Sequence, residues 1–413
     1  MSGGRAAGGR PKLLHVSIGG PILRSFFAGQ LAYMQAQGFE VVIAAAGGPD
    51  LDALCRSEGV RGWNVPVIRP LRPWHDLKTL RALRRVIDEE RPDIVHGHTP
   101  KGLLLGLLAA SLEGVPRRIC HLRSLPLETR SGPGRWLLHG CELLVAALST
   151  DIFAISPSLA VAYRRLPGVR QAPVTVIAGG SGNGVDARGR FDPQRIAPAE
   201  LAAFRARLGL PEDARVLCYV GRLAREKGIG ELAAAWAVLR ERDPDLRLLL
   251  AGRLDEREPV APEVLAMLAA DPRVCLPGYV YERELAFALA TVHVLPTWRE
   301  GFGTVLLEAA AMGVPSVASR VTGCIDAVVD GVTGTLVAPR SAPALVEALG
   351  RYLDDPDLRA AHGRAARRRA LAEFAPERVW QELARRYRGP ASKAGPQAAL
   401  SNARVSDQPA RQR

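Results

Sequence analysis

A chain of 413 residues exceeds what one ordinary core organises, so two domains of roughly 150–200 residues each are expected. Aromatics make up only 5% of it, and no stretch reaches about 18 uninterrupted apolar residues, which argues against a membrane-spanning helix. The net charge of +13 points to anionic partners, whether nucleic acid, lipid headgroups or phosphorylated substrates, although runs such as Arg364–Arg369 read as solvated helix faces. The two most apolar stretches fail as spans for different reasons: Gly102–Leu112 is too short, and the run after Trp136 is broken by His139 and Glu142. Cys55, Cys120, Cys141, Cys218, Cys275 and Cys324 lack CxxC spacing, which predicts reduced thiols rather than a disulfide frame or zinc site. The first ten residues carry no apolar core of signal-peptide length, so a cytoplasmic location is expected.

In chain order, Leu13–Gly20 is a short apolar run ending in glycines. A helical pattern over Ile22–Gln37 follows, Gly38 stops it, and Glu40–Ala45 is the next strand. Strand, glycine turn, helix and strand make a βαβ unit. The pattern recurs: amphipathic Leu80–Glu90, strand Ile94–His98, helix Gly102–Leu112, strand Arg118–Leu122, a long helix over Pro133–Ser149, and short strands Ile152–Ile155 and Val174–Ile177. Residues 178–200, rich in Gly and Pro, read as a connector. A second alternating set then begins, with strands Val216–Gly221, Leu246–Leu250, Val274–Leu276, Val292–Leu295 and Pro315–Ala318. Both halves are thus expected to be parallel, doubly wound, Rossmann-like sheets with a ligand cleft at their carboxyl ends. The expected division is 11–185, 186–375, a helix at 376–388 crossing back to the first domain, and a disordered tail at 389–413.

Two constellations fall after strands of the second half. In Tyr219-Val-Gly-Arg-Leu-Ala-Arg-Glu-Lys-Gly228, Arg222 and Lys227 are spaced to clamp a diphosphate. Either cation alone reads better as a surface charge. In Arg299-Glu-Gly-Phe-Gly-Thr-Val-Leu-Leu-Glu308, a Gly-Phe-Gly turn exposes successive amides at a helix start, which suits an anion or sugar oxygens. Glu300 belongs to the loop and Glu308 to the helix. Each carboxylate can accept from vicinal hydroxyls, so the pair is expected to hold two different rings rather than to act as acid and base on one bond.

Taken together, these motifs resemble the signature of family 4 glycosyltransferases, retaining enzymes of the GT-B fold with two Rossmann-like domains facing a central cleft. Glu300-x7-Glu308, Val220-Gly-Arg-Leu-x-x-x-Lys-Gly228, the linker-like Asn183-Gly-Val-Asp186 before Phe191, and Gly323, Asp326 and Asp330-Gly-x-x-Gly334 carry the resemblance. It implies that Arg222 and Lys227 hold the donor diphosphate and that Glu308 binds the ribose. Glu300 with the amides of Gly301, Phe302 and Gly303 would hold the transferred sugar, Gly19 and Gly20 would approach the phosphates, and the base, uracil by preference, would lie near Val280. His98-Thr-Pro-Lys-Gly, Leu122-Arg-Ser-Leu-Pro-Leu-Glu-Thr129 and Gly180-Ser-Gly-Asn-Gly-Val-Asp186 look like the branch that builds capsule, O-antigen or exopolysaccharide units. That branch implies a UDP-sugar donor, an amino sugar among the candidates, and a glycan or undecaprenyl-diphosphate-linked acceptor. It also implies peripheral contact with an anionic membrane surface.

One position departs from the family pattern. Where many members carry a histidine after the fifth strand, this sequence has Arg123. An arginine there suits the leaving phosphate electrostatically, and Glu300 and Arg123 are the residues expected nearest the chemistry. His121, two residues earlier, is expected on the opposite face of the extended segment; His96 and His98 are the alternatives. No cofactor or metal is expected, since no DxD triplet stands beside the motif. The rivals are a GT-B-fold UDP-sugar epimerase or sugar synthase and an NAD(P)-binding oxidoreductase. Against the latter, Gly19-Gly-Pro-Ile22 is no GxGxxG and no acid ends the second strand. A nucleic-acid binder is suggested by charge alone, without a recognition motif or interleaved aromatics.

Overall fold

The computed structural model describes residues 9–70, 72–169 and 173–390; the expected tail from 391 onward lies outside them. The described chain divides by packing into two units. One holds the residues up to Ile155, then Leu159–Ile177 and the chain from Trp380; the other holds Ser156–Ser158 and Ala178–Val379. The division thus falls at 177/178, where the sequence had suggested 185/186.

The first unit is built on a sheet of β1 (Lys12–Val16), β2 (Glu40–Ala45), β3 (Arg61–Asn64), β4 (Ile94–His98), β5 (Arg117–Leu122), β6 (Asp151–Ala154) and β7 (Val174–Val176). Its order is β3-β2-β1-β4-β5-β6-β7, parallel at every ladder. The central strands are buried through, as in Leu13, Leu14, His15 and Val16, all fully buried, which a parallel sheet covered on both faces requires. The edge strand β3 and the helix Pro49–Glu58 before it were not foreseen. The β3 sequence Arg-Gly-Trp-Asn is mostly exposed, so it carries no apolar signal.

The helical pattern at 22–37 resolves into two helices, Ile22–Phe27 and Gln30–Ala36. Between them Gly29 takes φ 75°, and a Cβ there would sit 2.5 Å from the Trp380 ring. Only glycine suits that conformation and that approach. The helix Pro376–Arg388 supplies Trp380 from far along the chain, so its second half packs within the first unit.

The second unit has β8 (Arg215–Val220), β9 (Leu246–Ala251), β10 (Val274–Gly278), β11 (Val292–Leu295), β12 (Ser316–Ser319) and β13 (Gly334–Val337). The order is β10-β9-β8-β11-β12-β13, parallel throughout. In each sheet the winding reverses beside the first strand, between β1 and β4 and between β8 and β11. Ligands of such sheets bind outside the carboxyl ends at the reversal point. Gly19 and Gly20 follow β1, Arg222 and Lys227 follow β8, and Glu300 follows β11.

Candidate active site

The loop after β8 leaves the strand through Gly221, and Tyr219 Oη donates to the Arg222 carbonyl at 2.6 Å. Arg222 is pinned from two sides, by Glu226 at 3.1 Å and by a close contact with Asp255. Glu226 in turn receives Arg299 at 2.8 Å, and its carbonyl accepts from the Trp298 amide at 2.8 Å. The loops after β8 and β11 are thereby tied to one another. Lys227 Nζ donates to Glu300 Oε2 at 2.5 Å, and the Gly301 amide donates to Glu300 Oε1 at 3.2 Å. Burial alone would push the Glu300 carboxyl up, but the Lys227 ammonium, the Gly301 amide and Arg299 together hold it below the ordinary value. The cations expected to clamp a diphosphate are therefore pre-oriented by carboxylates: Asp255 and Glu226 for Arg222, Glu300 for Lys227.

The turn Gly301–Gly303 ends at the N-cap of helix Thr304–Ala311. Phe302 is buried against Phe374, ring centroids 5.5 Å apart, which anchors the loop. Gly323 packs directly on this loop. A Cβ there would meet the Gly301 carbonyl at 2.5 Å and the Phe302 nitrogen at 2.7 Å, at φ +79°. Ser158 Oγ accepts from the Gly323 amide at 2.8 Å and also bonds Asp326, while Ser156 Oγ donates to the Gly301 carbonyl at 2.8 Å.

Glu308 lies in a different electrostatic setting. It is 3% exposed, Arg283 reaches Oε1 at 3.0 Å, and Oε2 is buried with no hydrogen-bond partner among the described residues. Burial raises its pKa, opposed by Arg283 and Arg190 and reinforced by Glu284; Arg190 itself holds Glu284 at 2.6 Å. A buried carboxylate oxygen without a donor is costly, so the helix presents an acceptor that a ligand hydroxyl can satisfy. Val280 is also buried, between the more exposed Tyr279 and Tyr281.

In the first unit, Arg123 stacks on Phe26, guanidinium carbon 3.8 Å from the ring centroid, and its Nε reaches His98 Nδ1 at 3.3 Å. His121 does not point away from Arg123. Its ring stacks on His96 at 5.1 Å, and the His96 and His98 rings lie tilted to one another with centroids 4.2 Å apart. Side chains two apart in an extended segment return to the same face, which is why the expectation of opposite faces fails. His15, His96 and His98 bring ring nitrogens within 4.8 Å of one another. An arginine always donates, so His98 Nδ1 accepts from Arg123 and His98 Nε2 carries the hydrogen shared with His15 Nδ1 at 3.0 Å. Burial, with the Arg123 charge secondary, holds the His15 pKa down to about 3.

Glu226, Asp255, Arg283, Arg190 and Ser158 were missed in the sequence. Glu226 lies inside the quoted Tyr219–Gly228 stretch but at a position given no role, and the others fall outside the quoted motifs; each meets its partner only through folding.

Two parallel, doubly wound units define a class, the GT-B fold. HepE from Anabaena, solved in complex with UDP and glucose, matches with TM-score 0.75 at 20% identity over 91% of this chain and 99% of that one. WaaG, a glycosyltransferase involved in lipopolysaccharide biosynthesis, matches with TM-score 0.69 at 17% identity over 92% of this chain and 100% of that one. Residues 23–180 fit the Glycosyl transferase 4-like domain, and residues 202–369 fit Glycosyl transferases group 1. The capsular polysaccharide biosynthesis glycosyltransferase CapM of Staphylococcus aureus is 31% identical over 91% of this chain and 95% of that protein. The putative glycosyltransferase EpsD of Bacillus subtilis is 28% identical over 88% and 93%. The chain belongs to family 4 of the glycosyltransferases and is an enzyme of glycosyl transfer, which sets the oxidoreductase and epimerase readings aside.

Proposed function

We propose that the enzyme moves a sugar from a UDP-sugar to a hydroxyl of a glycan, carried on a lipid diphosphate, during assembly of a cell-surface polysaccharide, with retention at the transferred carbon. The names of the capsule and exopolysaccharide relatives support the pathway class, and the UDP and glucose bound in HepE support the donor class. The observation that carries the reading is the lone buried Oε2 of Glu308, an acceptor suited to a ribose hydroxyl.

In this scheme Arg222 and Lys227 take the diphosphate. Their carboxylate partners hold them in place beforehand, so little reorganisation is needed when charge builds on the leaving group. Lys227 and Glu300 act as one unit: the ammonium turns to phosphate while the freed carboxylate accepts from a hydroxyl of the transferred sugar. The Gly301–Gly303 amides hold the same sugar, and Val280 borders the base. The departing diphosphate accepts the acceptor's hydroxyl proton as the new glycosidic bond forms on the same face; orientation and charge stabilisation are the protein's share.

The test is a thermal-shift panel of UDP, ADP, NADH and UDP-sugars, followed by turnover on lipid-linked acceptors. UDP is expected to stabilise by about 2.7 kcal/mol at a hundred times its Kd. A shift with ADP or NADH and none with UDP would overturn the donor assignment.

A further inference from the structure

We propose that Ser156 is a positioning residue for the transferred sugar: its hydroxyl fixes the direction in which the peptide group between Gly301 and Phe302 presents its N–H. Ser156 is fully buried. It follows β6 by way of Ile155, but Ser156, Pro157 and Ser158 pack with the second unit. A proline disfavours helical backbone in the residue before it, so Ser156 stands just outside the helix Pro157–Arg164. From there its Oγ donates to the Gly301 carbonyl at 2.8 Å.

A trans peptide group is planar, with its carbonyl and N–H pointing in opposite directions. Holding the Gly301 carbonyl from one side therefore aims the Phe302 amide to the other. Among the described residues neither the Phe302 nor the Gly303 amide has a hydrogen-bond partner, whereas the Gly301 amide is taken by Glu300 at 3.2 Å. Two successive open amides beside Glu300 are donors that a ligand oxygen can complete. Gly301 has no side chain to resist rotation of this peptide. Turned over, the group would present an acceptor where the open N–H now offers a donor.

Other contacts fix where the turn lies. Gly323 packs on Gly301 and Phe302 too closely for any Cβ. Ser158 holds Gly323 by accepting from its amide at 2.8 Å, and the Ser158 amide donates to Asp326 Oδ2 at 3.0 Å. Arg369 donates to the Asp326 carbonyl at 2.9 Å, and the Phe302 ring is held by Phe374. Ring and flank thus place the turn, and the bond from Ser156 decides which way its peptide faces. A serine that merely satisfied a loop carbonyl would add to stability alone; this one acts on a peptide whose other end is an open donor beside Glu300. The inference rests on the reading that the Gly301–Gly303 turn meets the transferred sugar, and adds the residue that sets the geometry of that turn.

The experiment is titration of the full chain with UDP and with UDP-glucose, UDP-galactose and their N-acetylamino counterparts, alongside initial rates with the sugar nucleotide that the wild type turns over. Ser156→Ala is expected to bind UDP within about twofold of the wild type but that sugar nucleotide about tenfold more weakly, with kcat reduced by about as much or more. Ser156→Cys, close in shape but a weak donor, is expected to fall between. Ser316→Ala loses a buried hydrogen bond to His293 in the same unit and is expected to lower Tm without changing the ratio of the two affinities. Sugar-nucleotide affinity and kcat unchanged in both Ser156 variants would overturn the proposal. So would an equal loss for UDP and the sugar nucleotide, which marks a structural role. If Ser156→Ala loses the UDP thermal shift and so does not fold, the cysteine variant decides by the same ratio. A wild type that binds no UDP and turns over no UDP-sugar would instead fault the functional reading, before any variant is compared.

Discussion

Glu300 and Glu308 stand eight positions apart and differ in what surrounds each carboxylate. Lys227 and a backbone amide lower the first; burial raises the second. A carboxyl whose folded pKa is raised binds more protons folded than unfolded, so it costs stability above its ordinary value of 4.5 and costs nothing below it. Glu308→Gln is therefore expected to melt at or above the wild-type temperature at pH 7, with the difference shrinking toward pH 4, while turnover falls at least a hundredfold. Parallel melts and initial rates check this; a variant that both melts lower and turns over normally would contradict it. Gly323→Ala places a methyl against the Gly301–Phe302 backbone at positive φ, a strain of about 1–3 kcal/mol. Its expected signature is a lower Tm together with a raised KM for the donor, because the displaced loop is the one that carries Glu300.

Among the elements, the last helix has the largest effect on a unit remote from it in sequence. Tyr387 Oη pairs with the buried His96 Nδ1 at 2.7 Å, and Arg117 donates to the Tyr387 carbonyl at 2.9 Å. Tyr387→Phe should cost about 0.5–1.5 kcal/mol, read by urea denaturation, and ending the chain before Trp380 should expose the hydrophobic surface of the first unit to dye binding. The strands β1, β4 and β5 pool His15, His96, His98 and His121 in the core, all held neutral first by burial. A histidine with a depressed folded pKa contributes stability that is fully present above its unfolded value of 6.5 and lost as pH falls toward the folded value, about 3 for His15. Glu142, raised to about 7 by burial, and Glu308, also raised by burial, work the other way in the upper part of that window but are two groups against four. Stability is thus expected to decline between pH 6.5 and 4.5, before most carboxylates titrate, as followed by Tm against pH.

For the whole molecule, much of the architecture was legible in advance because parallel strands buried on both faces leave mostly apolar runs, and glycine stands at the end of several of them. That is why β1, β4, β8 and β11 were read correctly as strands followed by loops. The exposed edge strand β3 and the break at Gly29 were not legible: one lacks apolar pattern, and the other exists because Trp380 arrives from some 350 positions later. The same division runs through the site. Arg222, Lys227, Glu300 and Glu308 announced themselves by spacing within single loops and helices, and that local order by itself determined the family and the chemistry to expect. The partners that set their charge states, Asp255, Glu226 and Arg283, and the return of His121 to the face of Arg123, were decided only by tertiary structure. Electrostatic setting depends on burial and on groups brought within a few ångströms, and neither distance nor burial is written in the order of residues along the chain.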